Sequence, residues 1–114
     1  MTLQDIIVGL NLMLLTESKD FKAIVPSSGY VSDLLSCVMA GAKHNGVWVT
    51  LQAHINIVAV AALLELSAVI ITENAQPDSA TIARANQEGV VLLSSNKTSF
   101  NVTGKLWEMG LQAD

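Results

Sequence analysis

Three β-rich apolar runs, VWVTL at 47–51, AVIIT at 68–72 and VVLLS at 90–94, alternate with segments whose apolar positions recur at helical spacing. The runs lack polar alternation, which marks strands buried on both faces, as in parallel sheets. The segments between them are long enough to serve as crossover helices, and such connections are right-handed in nearly all cases. The pattern predicts an α/β fold with a mostly parallel β-sheet flanked by helices.

Local signals add the remaining elements. Thr2 followed three residues later by Asp5 reads as a capping box opening a first helix. Asn11 and LMLLT predict a turn into a short strand; after the charged turn from Glu17 to Asp20, FKAIV predicts a second, limited by Pro26. SSGYVSDLL reads as a turn and a capped helix beginning near Ser32. HINIVAVAALLEL is apolar almost all round, which predicts a helix covered on both sides. DSATIARANQEG predicts an outer helix started by Pro77 and Asp78, with Ile82 and Ala85 as a thin apolar face and Gly89 as its stop. A last helix around 98–109 carries Phe100, Leu106, Trp107 and Met109, a stripe expected to dock on the core or on a second subunit.

Composition turns this layout toward assembly. The chain has 114 residues, consistent with one domain over 1–114, and only 14% of them are charged, against roughly 25% in an average soluble domain. A small monomer with so few charges leaves apolar surface open, so a homodimer is expected; a merely apolar monomer is the alternative. The net charge of -4 and six scattered basic residues offer no stripe for phosphates along a duplex, so nucleic acid is not an expected partner. Cys37 is the single cysteine, expected as a small buried hydrophobe in a reducing cytoplasm. No signal-peptide pattern opens the chain, and the longest apolar stretch is cut at Glu65, so no membrane association is expected.

Candidate chemistry concentrates where the strands end. In open α/β sheets ligands sit beyond the carboxyl ends of parallel strands. Here those ends read Thr50, Gln52, His54 and Asn56; then Thr72, Glu73 and Asn74; then Ser94, Ser95, Asn96, Lys97 and Thr98. The free N–H groups of the helix near Ser32 add an anion-favouring terminus, with Asp33 beside it favourable to the helix dipole but repulsive to an anion. Helix caps and turn formers account for the same residues without a ligand. His54 near a helix start can contact a phosphate, but a lone histidine without a paired carboxylate is more often structural. His44, in KHNG, reads as a solvated helix end. No HxxxH, CxxC, GxSxG, GxGxxG or GxxxxGK[ST] is present; TGKLW at 103–107 lacks the first glycine of a phosphate loop. No cofactor or metal is implied.

SGYVSDLLS together with VWVTLQAHINIVAVAALLELSAVIIT resembles the DRTGG-domain family over nearly the whole chain, through Gly29 to Ser36 and the spaced Thr50, Gln52, His54 and Asn56. The family is similar in fold to the N-terminal domain of HPr kinase/phosphorylase, whose P-loop lies in a separate domain. The resemblance implies a non-enzymatic regulatory or ligand-sensing domain, commonly a homodimer, found fused to CBS domains in some inorganic pyrophosphatases. The namesake motif is degenerate: Ser27-Ser28-Gly29 stands for Thr-Gly-Gly, and Val25-Pro26 for Asp-Arg. The expected function is therefore the sensing of a small anionic or nucleotide-like ligand at Ser28, Gly29, Ser32, Asp33, Thr50, Gln52, His54 and Asn56. In that picture Ser32 caps its helix, and Gln52 and Asn56 supply hydrogen bonds. The competing expectation is a structural or protein-interaction module without a pocket.

Overall fold

The computed structural model describes residues 1–113. Five strands form one sheet in the order β1-β5-β4-β3-β2. The strands are β1 (Met13–Leu14), β2 (Gly29–Val31), β3 (Val47–Thr50), β4 (Ala68–Ile71) and β5 (Leu92–Ser94). β2 to β5 run parallel, and β1 pairs antiparallel with β5 at one edge. The helices are α1 (Leu3–Gly9), α2 (Leu35–Gly41), α3 (Asn56–Leu63), α4 (Ser79–Glu88) and α5 (Ser99–Met109). The expected α/β layering is therefore present.

Strand periodicity sorts the core into two layers. Val47, Val49, Ala68, Ile70 and Leu93 face α1 and α5, meeting Leu3, Ile6, Val102 and Leu106. Trp48, Val69, Ile71 and Leu92 face α2, α3 and α4, meeting Val38, Ile57, Val58, Ala61 and Ala85. Every residue of β3 and β4 is buried, which is why these runs carry no polar alternation.

The expected caps form. In α1 the Asp5 N–H donates to Thr2 Oγ1 at 3.2 Å, and the Thr2 N–H donates back to Asp5 Oδ2 at 2.9 Å. In α4 both the N–H and the hydroxyl of Thr81 donate to Asp78 Oδ1, at 2.9 and 2.8 Å, and Gly89 closes the helix in the left-handed region at φ 71°. The backbone bond from Thr2 holds the Asp5 carboxyl below its ordinary value, and the backbone bond from Thr81 does the same for Asp78, with a smaller contribution from His54. A carboxyl depressed on folding contributes stability above its unfolded pKa and loses it as pH falls through the folded one. Asp78→Ala is accordingly expected to lower the melting temperature at neutral pH. The difference should shrink in acid, once the wild-type carboxyl is protonated too, which paired thermal melts across pH would measure.

Several expectations are corrected. FKAIV is not a strand: Phe21–Ala23 is a 3-10 turn, its N–H groups used locally, as in Ala23 to Asp20 O at 3.0 Å, while Phe21 is buried under α1. The turn at Gly29 is instead an edge strand, β2, which lies along β3. Its helix starts at Leu35 rather than near Ser32, with Leu34 as an N-cap lacking a side-chain bond. Cys37 is exposed on α2, since Val38 is the residue of that turn that faces the core. On α4 it is Thr81 and Ala85 that are buried, with Ile82 only half so. On α5 Leu106 docks and Met109 is half-buried, but Phe100 is 92% and Trp107 57% exposed, because Val102 and Leu106 define the inward stripe.

Candidate functional site

The parallel register brings the carboxyl ends of β3, β4 and β5 onto one edge of the sheet, as the sequence predicts. The loop after β2 is fastened to that edge. Trp48 donates its indole N–H to Ser32 O at 2.8 Å, and Asp33 Oδ1 accepts from the Thr50 hydroxyl and the Leu51 N–H, both at 2.8 Å. Gln52 donates to Thr50 Oγ1 from its N–H at 3.0 Å and to Asp33 O from its side chain at 3.1 Å. Ser32 Oγ accepts the Leu34 N–H at 3.1 Å, a turn contact rather than a cap on α2. The structure thus joins Ser32, Asp33, Thr50 and Gln52 in one network. Asp33 is committed inward to β3, and α2, with seven residues, presents no developed anion terminus.

His54 and Asn56 continue this rim into α3. His54 Nδ1 accepts the Asn56 N–H at 3.2 Å, so a neutral ring carries its proton on Nε2, at an exposed position. Among the described residues the Asn56 side chain makes no hydrogen bond, and it opens into a shallow groove of about 580 Å3 between α3 and α4. Ile55, Ala59, Leu63, Arg84 and Glu88 also line this groove, and Arg84 Nε lies 3.5 Å from Glu88 Oε1.

The next two strand ends close against α5. Thr72 Oγ1 and Ser99 Oγ are 2.6 Å apart, and Glu73 Oε2 accepts the Ser99 N–H at 2.7 Å. Glu73 and Asn74 occupy the left-handed region at φ 60° and 57°, consecutively and without glycine. Such a pair persists only where its surroundings fix it; here Glu73 N–H donates to Lys97 O at 2.8 Å and Asn74 N–H to Ser95 O at 3.2 Å. This bend was not legible in advance, since only the polar run TEN marked it.

Ser28 and Gly29 lie elsewhere, at the amino end of β2. Ser28 is buried, and its carbonyl accepts the Val47 N–H at 2.8 Å. Gly29 donates its N–H to Gln112 O at 2.8 Å, so the segment after α5 covers this part of the sheet edge. Beside it lies a concavity that the sequence did not reveal, a cleft of about 350 Å3 between β2 and α5 lined by Val31, Val49, Thr103, Leu106, Trp107 and Leu111. A Cβ at Gly29, which also lines it, would stand 3.3 Å from Leu111 Cδ2. The Thr103 hydroxyl is buried without a partner. His44, expected to be solvated, is exposed and pairs with Glu65 at 3.0 Å. Among the described residues no three His, Cys, Asp or Glu side chains gather as metal ligands, and no helix is long and apolar enough to cross a membrane.

No protein-family model matches the chain, and no curated protein matches it in sequence. In fold it is similar to the crystal structure of the CBS and DRTGG domains of the regulatory region of Clostridium perfringens pyrophosphatase, complexed with the activator diadenosine tetraphosphate. The TM-score is 0.75 at 16% sequence identity, over 92% of this chain and 45% of that one. The chain therefore spans less than half the length of this structural neighbour. The likeness establishes a CBS/DRTGG-like α/β fold.

Proposed function

We propose that this chain is a regulatory, ligand-sensing domain without enzymatic activity, a single DRTGG-like unit over 1–114 that works as a cytoplasmic homodimer. The observation that carries the reading is a fold shared with a regulatory region that holds a nucleotide activator. The local chemistry agrees with it. The Asn56 amide opens into a groove that also holds Arg84, paired there with Glu88, and His54, two residues before Asn56, is exposed; these donors suit a small anionic or nucleotide-like ligand. Ser32, Asp33, Thr50 and Gln52 position this rim by their own network and leave its outer groups to the ligand. Ser28 and Gly29 contribute through the placement of β2.

A ligand spanning loops that follow different strands favours the arrangement in which those loops are aligned, which is how binding becomes a signal. A thermal-shift series with ATP, diadenosine tetraphosphate and phosphorylated metabolites tests this. A binding compound at a hundredfold excess over its Kd is expected to stabilise by about 2.7 kcal/mol, which raises Tm by roughly 10 °C. His54→Ala and Asn56→Ala should each reduce that shift. A second reading, an interaction module without a ligand, is favoured by inward bonding of these groups: the Thr50 hydroxyl donates to Asp33 Oδ1 and the Thr72 hydroxyl to Thr50 O. The absence of any shift across the series would select it.

A further inference from the structure

The cleft between β2 and α5 lies on the face of the sheet opposite α3 and α4, and its chemistry differs from that of the groove at Asn56 and Arg84. Val31, Val49, Leu106, Trp107 and Leu111 wall it together with Thr103, and no charged side chain lines it. These walls are fixed by the fold itself. Gly29 N–H holds the segment after α5 through Gln112 O at 2.8 Å, Leu111 N–H donates to Leu106 O at 3.0 Å, and the Leu111 side chain is buried. At about 350 Å3 the cleft falls near the lower end of the roughly 300–1,000 Å3 usual for small-molecule pockets, and it shares their make-up of an apolar lining with few polar groups. Val31 and Trp107 are left 49% and 57% exposed at it.

Thr103 adds an unmet hydrogen bond to this lining. A helical threonine usually bonds its hydroxyl to a carbonyl three or four residues back. The Thr103 hydroxyl is instead buried with no partner, although buried polar groups are nearly always hydrogen-bonded. It holds no bond where it stands, so a turn about χ1 that brings it to a ligand in the cleft gives none up.

The uncharged lining sets the class of ligand, because an ion entering it would lose hydration with no counter-charge in return. The half-exposed indole of Trp107 suits a flat ring laid against it. We propose that the β2–α5 cleft binds a small uncharged molecule with a planar apolar body, stacked on Trp107, and one hydrogen-bonding group that meets the Thr103 hydroxyl. This site is separate from the anionic-ligand site at Asn56 and Arg84, and neither depends on the other.

The probe is 2-naphthol, a planar apolar body with a single hydroxyl, titrated into labelled protein and followed by amide chemical shifts. Saturable shifts are expected at Val31, Thr103, Trp107 and Gln112, with Asn56 and Arg84 unmoved. The compound 2-naphthoate, with a carboxylate in place of the hydroxyl, should bind at least about 10-fold more weakly. Thr103→Val keeps the side-chain shape and removes the hydroxyl, so the Kd for 2-naphthol should rise about 5-fold. Its melting temperature should hold or increase, because a buried group without a partner is lost. Trp107→Ala removes a half-exposed wall, so the fold should persist while the Kd rises about 10-fold. No saturable shift, a Kd indifferent to Thr103→Val, or 2-naphthoate bound as tightly as 2-naphthol overturns the site. Shifts at Val31 and Trp107 that follow protein concentration without the probe would show a second copy filling the cleft, and overturn it too.

Discussion

Trp48→Ala is expected to lower the stability of the fold by about 3–5 kcal/mol, the loss usual for a buried large aromatic. Trp48 is fully buried between the sheet and the layer formed by α2, α3 and α4, so its removal leaves a cavity that the rigid strand cannot collapse into. It also orphans Ser32 O, which takes its indole N–H. For a chain of this length the melting temperature should fall by roughly 15 °C or more. Trp48→Phe keeps most of the packing and loses the N–H, so it separates the two contributions. If the hydrogen bond matters as drawn, Trp48→Phe should still loosen the loop carrying Ser32 and Asp33, seen as faster amide exchange at Leu34 and Leu51. A Trp48→Ala protein that melts within two or three degrees of wild type would contradict the burial described.

Ile70→Ala is the second large effect, at about 2–5 kcal/mol. Ile70 lies in the central strand, fully buried, in register with Val49 on one side and Leu93 on the other, and it faces the layer made by α1 and α5. Chemical denaturation should show the midpoint falling without a change in slope, because both states keep their surface. Ile70→Val should cost only about 1 kcal/mol. Leu63→Ala, on the exposed face of α3, should stay within about 0.5 kcal/mol of wild type in the monomer. Together the three changes separate the buried sheet layer from the surface.

What the sequence made legible follows from which contacts are local. Thr2, Asp78 and Gly89 reveal helix ends because a cap bonds within three or four residues. β3, β4 and β5 are visible because burial on both faces removes polar alternation. FKAIV misleads because it has the composition of a strand, and only the absence of a neighbour to pair with makes it a 3-10 turn over Phe21–Ala23. β2 is hidden for the opposite reason: three residues at a sheet edge are held by distant groups, the Val47 and Gln112 backbones. At the site, the strand-end residues Thr50, Gln52, His54 and Asn56 are placed together as expected. Asp33 was legible as a polar residue near a helix start, but not as the acceptor for Thr50, 17 residues away. Trp107 and Phe100 read as one docking stripe with Leu106, and only the inward choice of Val102 and Leu106 shows that they point out.

The proposed ligand site is the rim after β3, where His54 and Asn56 lead into the groove between α3 and α4. Amide chemical shifts recorded while a labelled sample is titrated with nucleotides read this residue by residue. Saturable shifts are expected at Gln52, His54, Asn56 and Arg84, around the groove between α3 and α4, with the β1 edge at Met13 and Leu14 unmoved. Shifts confined to residues away from the rim, or none with any nucleotide, would contradict it.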